Sequence, residues 1–412
     1  MVQSVLGSLT LGYRLLWNPA RKLAGVQLLV DGDGQTHVDA PHLLRTIREM
    51  WSASSPPLLL TPATPALLAD LLEHAPAGSP SIEVDGAWLA DAALLARAQA
   101  AHRRGLRLVW RGLLDALPEP AVARLFGMSV LQLSSRDAMQ ALQVAAQRGR
   151  SGAQPPPASP LIAGQVYDGV ASRALLSHCL DDVGAMAVAG WPVEDVLHSL
   201  RYQPLQPSHE TVLKLLKAID EDQGIEALES VMGEDALLAY RFMTFTNSAS
   251  LGLRTGVDTP RRGLVMMGYG ALAQWLGELL PHASTEPDMR PVRDTTVLRA
   301  RLAERLMDAG VSHDLRREVY LSGLFSRLDE LLHEPIGTIM RRLPLSERIY
   351  NAVVLRSGAY APCLEVAKAL EGGDAALVRR LCEDHEMGAE HVNRSLLRML
   401  AEVQIQRPPR AA

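Results

Sequence analysis

Few side chains in this sequence combine a reactive type with a spacing that chemistry could use. His178 and Asp182 stand four residues apart, with Cys179 and Asp181 between them, so a helix would place His178 and Asp182 on one face. Such a pair could begin a metal site, but a third firm ligand is missing, and zinc asks for three or four. A helix end with solvated acids is the expected reading. Cys382, His385 and Glu386 repeat the situation, and a surface helix face accounts for them. Asp31-Gly32-Asp33-Gly34 opens like a calcium loop but lacks the later oxygen ligands and the bidentate glutamate, so a hairpin turn is expected. No P-loop and no G-x-S-x-G occur, which leaves phosphate cradling and esterase chemistry without support.

Other distinctive residues read as structural. The Met266-Met267 pair and the stripe through Trp275 suit a core, with a partner groove as the alternative because methionine surfaces adapt to varied ligands. Asn247-Ser248 suits a helix-terminating turn, since such side chains bond local backbone. Cys179, Cys363 and Cys382 are far apart and form no C-x-x-C. They fit a reducing cytoplasm and provide neither a disulfide framework nor a thiolate cage.

The elements that position these residues fall into two halves. In the first, Leu11 to Trp17, Val26 to Val30, Leu58 to Leu60, Ser81 to Val84, Leu106 to Trp110 and Val130 to Leu133 read as short strands. Helices are expected between them at Pro41 to Trp51, Ala66 to Glu73, Trp88 to Arg103 and Pro120 to Phe126. Such alternation implies a parallel sheet with crossover helices. The proline-dense stretch Arg148 to Pro160 should be an exposed loop. Leu161-Ile162-Ala163 and Ala185 to Ala189 still read as strands. After about Pro192 the period changes: Val212, Leu215, Leu216 and Ile219 share a face, as do Leu272, Trp275, Leu276 and Leu279, and near the end Val392, Leu396, Leu400 and Val403. These are amphipathic helices. The expected fold class is α/β plus all-α, with a boundary near residue 195 and the helical domain running over 196–412.

Composition narrows the function. At 412 residues the chain favours two domains, and 48% hydrophobic content with a mean hydropathy of +0.04 provides for real cores. A net charge of -5 and a pI near 6.2 argue against nucleic-acid binding, which calls for a basic excess. The arginine pairs are scattered, which suits a solvated surface. No window approaches the roughly 20 apolar residues of a membrane span, and the apolar N-terminal stretch is interrupted by Arg14, unlike a signal peptide. A cytoplasmic location is expected.

Two ordered sets of motifs resemble known modules. Val212 to Ile219, Ile225 to Glu229, Asp235 to Asn247-Ser248-Ala249, Arg262-Gly263-Leu264 to Met267-Gly268, and Ala273 to Leu276 resemble an HDOD domain, a helical relative of the HD superfamily. Phe325 with Leu328, Leu331 and Leu332, then Leu343-Pro344-Leu345-Ser346, resemble the extension seen when an HDOD domain follows an EAL domain. The first half is similar to an altered EAL domain, the cyclic di-GMP phosphodiesterase barrel, so a degenerate TIM-like (βα) barrel is implied. Gly12 to Trp17 sits at that family's name-giving strand, with Gly105 to Arg111, Val130 to Leu133, Leu161 to Tyr167 and Ala189-Gly190 at its later motifs.

The resemblance implies that the hydrolytic chemistry is lost. The family holds divalent metals with several carboxylates and an asparagine, beside a lysine, and two such ions activate water. Here the matched positions carry Arg14, Leu60-Thr61, Trp110, Arg111, Gln132 and Tyr167, and only Glu83 survives as an acid. His313-Asp314, the sole His-Asp dipeptide, lies away from the metal position that the HD superfamily uses. The expectation is therefore no catalytic residue, no metal and no cofactor: a signalling adaptor that binds other signalling proteins, with Asn247, Ser248 and Trp275 as candidate contacts. One alternative is a non-hydrolysing cyclic di-GMP receptor using Arg14, Arg111 and Glu83. A second is a weak phosphodiesterase.

Overall fold

Short apolar runs broken by turn residues build eight strands: β1 Leu9–Trp17, β2 Leu23–Gly32, β3 Leu58–Pro62, β4 Ser81–Asp85, β5 Leu108–Leu113, β6 Phe126–Gln132, β7 Val166–Asp168 and β8 Ala187–Ala189. They close into a barrel in chain order. This computed structural model describes residues 4–32, 38–148, 158–248, 256–307 and 310–404. The second aspartate of the acidic turn at 31–34 and most of the proline-rich stretch lie outside them. Contacts divide the chain into two units, one of residues 1–195 with 369–412, the other of residues 196–368.

The sheet is not wholly parallel. β2 to β8 run parallel, whereas β1 is antiparallel to both β2 and β8. A tight turn explains the reversal, because only antiparallel neighbours can be joined by so short a connection. In it the Asn18 N–H donates to the Lys22 carbonyl at 3.0 Å, and Arg21 adopts φ 55°. Two local expectations also fail. The helix expected over Trp88 to Arg103 is a 3-10 turn, Gly86–Ala90, followed by a helix, Ala92–Arg103, because Asp91 caps the latter through the Ala93 N–H at 2.8 Å. Leu161-Ile162-Ala163 is no strand, since the Tyr167 hydroxyl takes up the Ile162 N–H and carbonyl at 2.5 and 2.9 Å. β7 begins later and pairs Val130 with Val166.

Residues 369–412 group with the barrel, not with the helical domain to which the sequence reading assigned them. β1 pairs with β8 over a short stretch, Leu16↔Ala189 and Trp17↔Val188, with the Gly190 N–H just beyond donating to the Leu15 carbonyl at 2.9 Å. Along the start of β1 and the turn before it, Asn393 of the helix Ala389–Ala401 supplies bonds: its Oδ1 accepts from the Leu11 N–H at 3.0 Å, and its Nδ2 donates to the Leu6 and Leu9 carbonyls at 2.8 and 2.7 Å. Sequence periodicity finds such a helix but not the surface it covers. Gly12 shows how tight the fit is, because a Cβ there would lie 2.6 Å from the Gly372 carbonyl oxygen.

Unit 196–368 is helical throughout its regular elements. Its main helices are His209–Asp220, Ile225–Met232, Ala236–Thr246, Pro260–Leu279, Met289–Leu306 and His313–Phe325. The long one breaks at Gly268, whose φ of 72° is cheap only for glycine. Asp235 is fully buried and ties three segments together. It caps Leu237 and Leu238 at 2.8 and 3.1 Å, accepts from the Ser208 N–H at 2.7 Å, and pairs with Arg293 at 3.1 Å.

Candidate functional site

Side chains along a strand alternate between its two faces, and that rule builds the site. Leu16, Leu59, Val109, Val130, Val166, Ala187 and Ala189 form one apolar cluster inside the barrel. Two residues further toward the open end, the same strands present Arg14, Thr61, Arg111, Gln132 and Asp168. Gln27 lies opposite Arg14 in the β1–β2 register, and β4 contributes Glu83. The result is a polar ring at the C-terminal end of the parallel strands, where barrels of this kind place ligand sites.

The ring is knitted by hydrogen bonds and ion pairs. Gln27 Nε2 donates to Glu83 Oε2 at 2.8 Å and to Thr61 Oγ1 at 3.1 Å. Arg111 lies 3.5 Å from Glu83 Oε1, and Gln132, with its amide oxygen turned to the guanidinium, accepts from Arg111 at 2.9 and 3.2 Å. Arg14 donates to Asp168 Oδ2 at 2.9 Å. Glu83 is 1% exposed. Burial pushes its carboxyl up from 4.5 to about 7, against the opposing pull of Arg111, Gln27 and Thr61. Glu83 Oε1 and Gln27 Oε1 are buried without a hydrogen-bond donor, so both could accept from a bound group.

This donor set does not fit a pair of divalent cations. Such ions need several oxygen ligands each, and the ring offers two carboxylates, each already matched to an arginine. Among the described residues no three His, Cys, Asp or Glu side chains gather where they could share a metal. The arrangement can hold an anion on its guanidinium groups, or a donor on the two unfilled oxygens.

Of the sequence-selected residues, Arg14, Arg111 and Glu83 converge here. Arg14 is the counter-ion of Asp168. Trp110 and Tyr167 turn away from the ring. Trp110 packs edge-on to Phe126 at 5.4 Å and fills the space left by Gly86, while Tyr167 bonds Ile162. Sequence reasoning missed Gln27 and Asp168. Both were findable by alternation, since Gln27 is the one polar residue in Val26 to Val30 and Asp168 follows Val166 at a period of two.

Elsewhere the selected residues have local tasks. Asn247 Nδ2 donates to the Met243 and Val257 carbonyls at 2.8 and 2.9 Å, and its Oδ1 accepts from the Val257 N–H at 2.7 Å. Ser248 bonds the Phe245 carbonyl at 2.7 Å. Trp275 stacks on Phe245 and meets Phe242 edge-on, both at 5.6 Å. Met266, expected in a core, is 44% exposed. His178 is buried between Asp182 and Ser159, each at 2.9 Å, while Asp181 and Asp182 are the exposed acids expected at that helix end. His313-Asp314 opens the helix His313–Phe325.

The fold is thus a closed eight-stranded barrel with a helical unit, and residues 205–334 of that unit match the HDOD domain family. Two curated relatives share part of the chain. Cyclic di-GMP phosphodiesterase CdgJ of Vibrio cholerae is 21% identical over 199 residues, which is 48% of this chain and 46% of the relative. The uncharacterized protein YuxH of Bacillus subtilis is 24% identical over 169 residues, 39% and 40% respectively. The chain therefore spans less than half the length of either relative. Similar solved structures include the MmoQ response regulator of Methylococcus capsulatus (TM-score 0.40, 18% identity, covering 47% of this chain and 98% of that one). Another is BlrP1 of Klebsiella pneumoniae, solved as a manganese and cyclic di-GMP complex (TM-score 0.29, 12% identity, 45% and 55%). Among the described residues, no helix is long and apolar enough to cross a membrane.

Proposed function

We propose that this chain is a catalytically silent signalling protein of a cyclic di-GMP-related pathway, descended from an EAL barrel and acting by binding other signalling proteins. The observation that carries the reading is the ring at the barrel's open end: Glu83 and Asp168 each face an arginine, and amides and a hydroxyl fill the positions between. Phosphodiester cleavage of the two-cation kind needs ions that orient water and offset developing charge, and this ring has too few oxygens to hold them. The HDOD domain, and the name given to the Vibrio relative, support the pathway.

A second reading, a non-hydrolysing cyclic di-GMP receptor, is favoured by Arg14 and Arg111 at the open end, because guanidinium groups suit phosphates. Calorimetry with cyclic di-GMP on the full chain separates the two. The adaptor reading predicts no binding heat. Micromolar affinity that disappears in the Arg14→Ala/Arg111→Ala double variant would overturn it in favour of the receptor.

A further inference from the structure

At the opposite end of the strands from the polar ring lies a cleft of about 760 Å³. Its apolar lining includes Leu44 and Trp51, from the helix Ala40–Met50 and its C-cap, with Pro57 just before β3. Trp51 is fixed in place, because its indole N–H donates to the Pro56 carbonyl at 2.6 Å. Three exposed arginines line the same cleft, Arg45 and Arg48 one helical turn apart and Arg107 just before β5. No Asp or Glu lines it. Among the described residues these three guanidinium groups form no ion pair or hydrogen bond, unlike Arg14, Arg21 and Arg111 of the same unit.

We infer that this cleft is a docking site for an acidic segment of a partner protein that also carries apolar side chains. A fixed aromatic with prolines beside it, bordered by unpaired arginines, has the composition of binding hot spots. Three free positive charges on a chain of net charge -5 form a local exception that selects a negatively charged ligand and steers its approach. The cleft is broad and open, with an apolar wall larger than a lone phosphate needs, and this favours a peptide over a small anion. The inference rests on the partner-binding reading and assigns that partner a place and a chemistry.

The test is fluorescence anisotropy with the full chain and a labelled synthetic peptide of glutamates interspersed with leucine, alongside its lysine counterpart. The acidic peptide should bind and the lysine peptide should not. Arg45→Glu/Arg48→Glu should weaken binding roughly tenfold or more, and added salt should weaken it too. Arg136→Glu, an exposed reversal on another helix, should leave it unchanged. These are surface changes, and a matching melting curve verifies folding. Absence of binding, indifference to the double reversal, or displacement of the peptide by equimolar inorganic phosphate would overturn the inference. If a native partner is later found and still binds the double variant, the cleft assignment fails while the partner-binding reading stands.

Discussion

Asn393→Ala should destabilise the barrel unit by about 4 kcal/mol, a drop of roughly 10 °C in its melting temperature. The amide is 2% exposed and bonds one N–H and two carbonyls of the segment Leu6 to Leu11. Truncation strands all three, and each unsatisfied buried group costs about 1–3 kcal/mol. Arg398→Ala, exposed on the same helix, should change stability by less than about 0.5 kcal/mol. Urea melts of the two variants measure the contrast. Equal, small effects would mean that residues 369–412 merely lean on the barrel rather than complete it.

Glu83→Gln should stabilise the barrel unit, and the gain should depend on pH. The folded carboxyl titrates near 7 and the unfolded one near 4.5. Between those values the unfolded chain has released its proton while the folded chain still holds it, so stability falls as pH rises through this window. Above about 7 the loss is complete, at about 3 kcal/mol. The glutamine variant avoids it, so it should gain about 3 kcal/mol at pH 8 and almost nothing at pH 4, with a flatter profile between. Chemical denaturation at several pH values is the measurement. A variant that loses stability at pH 8 would show that the Arg111–Glu83 pair outweighs the desolvation of the carboxylate.

These two residues also show what the sequence makes legible. Strand alternation and the change of period near residue 192 are local signals, and they locate most barrel strands and the helical unit. Glu83 is legible as the one acid left at the positions matched to the resembled family. Asn393, by contrast, sits in an amphipathic helix whose stripe reveals that one face is covered but not by what, so 369–412 was assigned to the wrong unit. The ring was half visible. The resemblance puts Trp110 and Tyr167 in it beside Arg111, whereas the pleat keeps Arg111 and puts Asp168 there in place of Tyr167. Gln27 was lost because the family's strand was laid on β1, and the antiparallel turn at Asn18 to Lys22 places β2 beside it with its own polar residue facing in.

The most direct trial of the central claim is a crystal of the full chain soaked in manganese and measured for anomalous scattering. The claim predicts no manganese pair within the ring of Arg14, Gln27, Thr61, Glu83, Arg111, Gln132 and Asp168. Two ions bridged by Glu83 would contradict it and make the barrel an enzyme.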